Sequence, residues 1–279
     1  MQEPLETLVR QVDEDRWLAG RFAQRLVRPK LMAVYALNYE ISRTAWSVTN
    51  ETLGDIRLAF WRDAIADIHA GKAPPAHPAL EAYAASEPNA VMGEAWAQLI
   101  AAREKDLEAV PFETWPDLQA YVEATAGNVF RIAIETCLTG DDRHKQLNAF
   151  ALRAGQVWGY AGLVRALPHW TTRRSTFFPR KLLEHVGLTT DALFAGDSTH
   201  AVRSAAMAVV DRARHAYREA QDLASVLPAA AFPGYGYLAL APRYLRAVSM
   251  PEADPNASHA IPLLVRQIAL VTASAMGRV

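Results

Sequence analysis

The side chains with chemistry to offer in this sequence are carboxylates and arginines. Asp63 and Asp67 stand four residues apart in an apolar-periodic stretch, so a helix would put both on one face, where they could share a cation. A solvated face flanked by Arg62 accounts for the same pattern. Glu40 lies close to the apolar side of the preceding stretch, within reach of Arg43 or Arg57. Arg43, Arg57, Arg131, Arg165, Arg173 and Arg174 come from several segments. Guanidinium groups favour phosphate and carboxylate partners, so these six would form an anion-binding floor without a metal, or else pair with surface acids. The eight histidines never fall at a ligand spacing with a second His or a Cys. The single Cys137 excludes a disulfide within the chain and any zinc site of several cysteines, and reads as a small buried hydrophobe. GxGxxG, the phosphate-binding loop, GxSxG and HExxH are all missing. No residue stands out as catalytic, and Asp63 with Asp67 is the one metal-ligating alternative.

The elements that must position these groups are helices. Leu31, Val34, Tyr35, Leu37, Ile41, Ala45 and Val48 recur at helical spacing, and Ile56, Phe60, Ala64, Ile65 and Ile68 do so after a joint at Asn50 to Asp55, with Trp61 beside them. Before this pair, residues 5–27 read as one amphipathic helix or a broken pair ending at Arg28-Pro29. After it, prolines between Gly71 and Pro78 forbid helix. Helices are predicted over 78–86, 89–108, 114–139 and 143–166, with stops at Gly140-Asp141-Asp142 and Pro168. A loop from Thr171 to Pro179 leads to a short helix from Arg180 and a stop at Gly187-Leu188-Thr189. Helices follow over 198–226, 238–248 and 261–276, separated by Pro228, Phe232-Pro233-Gly234 and a polar loop from Ser249 to Ser258. No period-two pattern persists, so the expectation is one all-α domain over 1–279 with about ten helices.

Composition bounds the function. At 51% hydrophobic residues the chain can bury a large core, which excludes disorder. A net charge of −1 gives no global field to attract nucleic acid. The N-terminal MQEPLETLVR lacks an apolar signal core, and no stretch approaches the ~20 apolar residues of a membrane span. A cytoplasmic protein is expected, with peripheral contact at the inner face of a membrane left open. The final helix has only Arg266 and Arg278 as basic residues, so packing on the domain is expected of it rather than bilayer contact.

Four blocks carry a resemblance: LMAVYALNYEISR (31–43), GDIRLAFWRDAI (54–65), YVEATAGNVFRIAIE (121–135) and AGQVWGYAGLVRALPHWTTRRSTFFPRKLLEHVGL (154–188). In these the chain resembles the squalene/phytoene synthase family from end to end. The resemblance implies a single-domain, isoprenoid-synthase-like helical bundle with a central cavity. Family enzymes join prenyl diphosphates head to head, holding Mg²⁺ on two aspartate-rich motifs of facing helices. That chemistry needs a hard cation on oxygen ligands to neutralise the departing diphosphate. At the first motif this chain has Ser42, Arg43 and Trp46, and at the second Ala166 and Trp170, so the aspartates are missing. In this, and in Asn38, Glu40, Ile41 and Arg43, the chain resembles a divergent branch that includes a respiratory complex I assembly factor.

Two readings follow, and a third stands behind them. The first is a non-catalytic assembly or binding factor that reuses the cavity for a respiratory-complex subunit or an isoprenoid or lipid ligand. Its candidate cavity and anion-binding residues are Tyr35, Glu40, Arg43, Trp46, Arg57, Arg165, Trp170, Arg173 and Arg174. Trp46 and Trp170, standing where metal ligands would, are expected to close the old site in part. The aromatics Trp61, Trp158, Phe177 and Phe178 belong either to the core or to the pocket wall. The second reading is an active synthase with a relocated Mg²⁺ site on Glu40, Asp63 and Asp67. The third is a metal-independent enzyme with Arg165 and Arg174 as anion clamps.

Overall fold

The computed structural model describes residues 2–48, 50–108, 110–138, 144–196, 199–225, 227–250, 260–277 and 279. The expected stop at Gly140-Asp141-Asp142, the Pro251 and Pro255 loop, His259 and the side chain of His144 lie outside the described residues. Among those described the regular structure is helical, with no strand.

The first expected helix breaks into α1 (Gln2–Val12) and α2 (Glu14–Gly20) at Asp13, which caps α2 and pairs with Arg16. Pro29 does not end a helix. It sits in the first turn of α3 (Arg28–Ser42), where its missing N–H has no intrahelical partner to lose. Residues 31–38 of α3 are buried on every side, which makes α3 the central rod of the bundle. A 3₁₀ turn (Thr44–Trp46) follows, and Asn50 caps α4 (Glu51–His69).

Helix α4 buries only the C-terminal half of the expected face. Leu58, Trp61, Ala64, Ile65 and Ile68 are buried, whereas Ile56 is 60% and Phe60 45% exposed. Both Ile56 with Phe60 and Leu58 with Trp61 fit the period of Ala64, Ile65 and Ile68, and packing chose the pair that buries Trp61 against α5 (Pro78–Ala84) and α6 (Ala90–Arg103).

The expected helix over 114–139 is α7 (Trp115–Val122), a π turn (Glu123–Gly127) and α8 (Asn128–Cys137). Helix α9 (His144–Arg165) presses Gly155 and Gly159 against that π turn, where a Cβ on Gly155 would meet the Gly127 backbone. Pro168, expected as a stop, opens α10 (Leu167–Thr172), again in a first turn. Then come α11 (Arg180–His185), α12 (Thr190–Ala195), α13 (Thr199–Ala224), α14 (Phe232–Tyr235), a 3₁₀ turn (Gly236–Leu240), α15 (Ala241–Ser249) and α16 (Leu263–Met276). Helix α16 packs through Ala269, Leu270 and Ala273 but leaves six apolar side chains outside, so the packing expected of it covers only one face.

Candidate functional site

Helices α1, α2, α3, α6, α7, α8, α9 and the π turn line a cavity of about 260 Å³ that opens to solvent. Gly159 and Gly162 of α9 and Trp158 form one wall, and a Cβ on Gly162 would meet nothing within 4 Å. Two arginines line this space, Arg16 from α2 and Arg103 from α6. The Arg16 guanidinium bonds Asp13 and lies 5.0 Å from the Tyr237 ring centroid. Burial works against its charge, but Asp13 and the tyrosines Tyr237 and Tyr35 outweigh it and raise its pKa above the usual arginine value. Arg103 donates to Asp106 (3.0 Å) and to the Tyr121 hydroxyl (2.9 Å), which donates to Asp106 (2.6 Å). Burial pushes the Tyr121 pKa up, and the hydroxyl keeps its proton. Three buried atoms on cavity-lining residues find no partner among the described residues: Nε of Arg16, Nε of Arg103 and Oδ1 of Asn38.

The six arginines do not gather on one floor, though Arg57 and Arg173 both reach the 45–47 turn. Arg131 pairs with Glu94 (3.1 Å). Arg165 stacks on Tyr244 (3.7 Å to the ring centroid), 3.9 Å from Asp15. Exposed Arg174 lies 3.9 Å from Asp191. Arg57 donates to the Ser47 hydroxyl (2.6 Å), and Arg43 pairs with Glu40 (3.6 Å). Arg173 reaches the Ala45 carbonyl (3.2 Å) and covers the Trp46 ring. Tyr35 belongs to the core, its ring edge-on to Tyr237. The Asp106 carboxylate is buried under Arg103 and Tyr121. Arg16 and Arg103 were not legible as site residues, because only tertiary packing buries them. The one local signal was Arg16 three residues after a capping aspartate.

The two positions where the resemblance places metal-binding motifs face each other as ring against ring. Trp46 lies 4.9 Å from Trp170 and 4.1 Å from His169 between ring centroids. A divalent cation needs several oxygen ligands. Ser42 gives its hydroxyl hydrogen to the Tyr39 carbonyl, and Arg43, Trp46, Ala166 and Trp170 bring no carboxylate. The proposed substitutes do not gather either. Glu40 is held by Arg43, Asp63 by Arg62 (3.4 Å) and Asp67 by Lys72 (2.8 Å). Among the described residues no three His, Cys, Asp or Glu side chains stand where they could hold a metal ion. These residues do not fit Mg²⁺.

The fold is that of known prenyl synthases. A dehydrosqualene synthase superposes with a TM-score of 0.81 at 15% identity, over 99% of this chain and 95% of that one. The squalene synthase HpnC of Alicyclobacillus acidocaldarius gives 0.66 at 22% identity, over 99% and 94%. In sequence the chain is similar to proteins of another name. It is 24% identical to the NADH dehydrogenase (ubiquinone) complex I, assembly factor 6 of Mus musculus, over 88% of this chain and 73% of that one. The Homo sapiens protein of the same name is 23% identical, over 82% and 68%. The squalene/phytoene synthase family model matches residues 9–267, and the chain belongs to that family.

Proposed function

We propose that this protein is a non-catalytic assembly factor that serves the maturation of respiratory complex I and binds through the cavity its fold inherits. The observation that carries the reading is the pair of motif positions, filled by the Trp46–Trp170–His169 stack instead of carboxylates. Diphosphate departure without a metal would leave developing negative charge unneutralised. The relatives named as complex I assembly factors supply the process.

The cavity suits a small amphipathic ligand or a side chain of a respiratory subunit. Oxygen atoms of such a group would face Arg16 and Arg103, and its apolar body would lie along Gly159 and Gly162. No Mg²⁺ enters this reading, and the scattered carboxylates argue against a relocated synthase site.

The test is genetic and chemical together. Removing the gene from the organism that encodes it should lower assembled complex I on native gels and NADH:ubiquinone activity in membranes, and the intact chain should restore both. Purified protein given farnesyl diphosphate, Mg²⁺ and NADPH should make no product. Unchanged complex I levels would sink the assembly role, and turnover would restore the synthase.

A further inference from the structure

A folded protein pairs nearly all of its buried polar atoms, so an orphan among them needs a cause. Asn38 carries one. It sits on the central rod α3, is 8% exposed and lines the cavity. Its Oδ1 is buried and finds no hydrogen-bond partner among the described residues. An asparagine amide presents a donor and an acceptor side by side, so whichever way it is turned a guest with a polar atom can complete it.

Charge limits what that guest can be. Among the described residues the cavity is lined by two cations, Arg16 and Arg103, and one anion, Asp13. Each cation already has its carboxylate. Asp13 bonds Nη1 of Arg16, and Asp106 bonds Nη1 of Arg103 (3.0 Å). The Asp106 side chain is itself only 6% exposed, so the two pairs together are neutral. An anionic head such as a diphosphate would meet these carboxylates with no unpaired cation to receive it, and the site does not fit Mg²⁺. A cationic head would meet two guanidinium groups. An uncharged acceptor meets neither obstacle, because a guanidinium has five N–H donors and the carboxylates here take Nη1.

Val122, Val129, Trp158 and Leu163 give the cavity an apolar wall. Its volume of about 260 Å³ is below the ~300–1,000 Å³ of drug-sized ligand sites, and it opens to solvent, so a head group and the first part of an apolar body fit inside. Given the binding role proposed above for this cavity, we propose that its guest is an uncharged carbonyl compound with an apolar body. The carbonyl oxygen is received by guanidinium N–H groups and the Asn38 amide, and Asp13 and Asp106 keep anionic heads out.

The test compares ligands of similar apolar body and different head: geranylacetone (uncharged carbonyl), geranyl diphosphate (anion) and geranylamine (cation). Each is titrated into the intact chain by calorimetry with a chelator present. Geranylacetone should bind about tenfold more tightly than either charged ligand, or better. Gly162→Phe should abolish that binding. Asn38→Leu should weaken it by about fivefold or more, yet raise the melting temperature of the ligand-free protein, because leucine of like volume leaves no unmet amide. An asparagine with a purely structural role would lower the melting temperature instead. Asp13→Asn keeps the α2 cap, since asparagine caps as well as aspartate, but strips Arg16 of its counter-charge. It should raise the affinity for geranyl diphosphate by about tenfold and leave that for geranylacetone within about twofold. No binding of geranylacetone, equal or tighter binding of geranyl diphosphate by the unaltered chain, or geranylacetone binding that survives Asn38→Leu at full strength would each overturn the proposal. Should Gly162→Phe unfold, Asn38→Leu and Asp13→Asn still decide the matter. The titrations do not involve complex I, so their failure and a failure of the assembly role are told apart.

Discussion

Asp15 draws four helices onto one buried carboxylate. From α2 it accepts from the Tyr244 hydroxyl of α15 (2.7 Å) and from Arg266 of α16 (2.9 Å), and Arg165 of α9 stands 3.9 Å away. Removing Asp15 strips the Tyr244 hydroxyl and Arg266 of a buried acceptor while Arg266 keeps Glu14, which costs about 2 kcal/mol. Asp15→Ala should therefore lower urea stability by about that amount. Loss of less than about 1 kcal/mol would mean that solvent reaches the Arg266 side chain. Cys137 gives a second prediction. Burial pushes its thiol up to about 12, against a backbone hydrogen bond at Gly234 that pulls the other way. The thiol should resist iodoacetamide at neutral pH in the folded protein and react fully in denaturant, read as a mass shift. A third concerns His69, whose Nε2 lies 3.0 Å from the Tyr83 hydroxyl. Burial holds its folded pKa below the ordinary 6.5. As pH falls below 6.5 the unfolded chain takes up a proton that the folded chain resists, so stability drops until pH passes the folded value. His69→Gln should flatten that part of the stability–pH curve, and an unchanged slope would place the proton elsewhere. Burial of Cys137 is what its sequence context predicts, but the roles of Asp15 and His69 could not be read there, because their partners lie elsewhere in the fold: Asp15 meets Arg266 from the far end of the chain.

At the scale of elements, the glycines of α9 separate packing from binding. Gly155→Ala drives a Cβ into the Gly127 backbone of the π turn, so it should be strongly destabilising in thermal melts. Gly162→Ala meets open space, and glycine inside a helix costs up to about 1 kcal/mol relative to alanine, so this change should stabilise. Gly162→Phe should fill the cavity, leave the melting temperature near wild type and abolish rescue of complex I assembly. Full rescue by a folded Gly162→Phe protein would remove the cavity from the function. The sequence told most about elements of this kind. Gly-rich α9, long α13 and the apolar α3 follow from periodicity, because each has one dominant face or is apolar throughout. It told less where one pattern permits two outcomes. Pro29 and Pro168 each stand at a boundary, but a proline suits a first turn as well as it forbids an interior one. In α4 both Ile56 with Phe60 and Leu58 with Trp61 fit the period of Ala64, Ile65 and Ile68, and only the neighbours on α5 and α6 choose between them.

At the scale of the whole molecule the described residues form two apolar clusters, and two long helices belong to both. One cluster joins α3, α4, α6, α8, the Gly236–Leu240 turn and α16, the other joins α7, α10, α11 and α12, and short α15 gives Tyr244 to the first and Leu245 and Val248 to the second. Helix α9 gives Phe150, Val157 and Trp158 to the first and Tyr160, Leu163 and Val164 to the second. Helix α13 repeats the division, with Ala216 and Ala220 in the first and Val202, Val209 and Val210 in the second. A rod that leaves one cluster exposes apolar surface in the other, so neither can melt while its partner stays packed. Chains of this length often populate intermediates. Here the shared helices argue for one cooperative transition. Urea unfolding followed by far-UV circular dichroism and by tryptophan emission should give coincident midpoints. Phe130→Ala in the first cluster and Phe178→Ala in the second should move both signals together, each by about 3 kcal/mol. Two separated midpoints, with Phe130→Ala moving only one of them, would show that α9 and α13 bend or fray between the clusters and that the cavity at their junction can open without global unfolding.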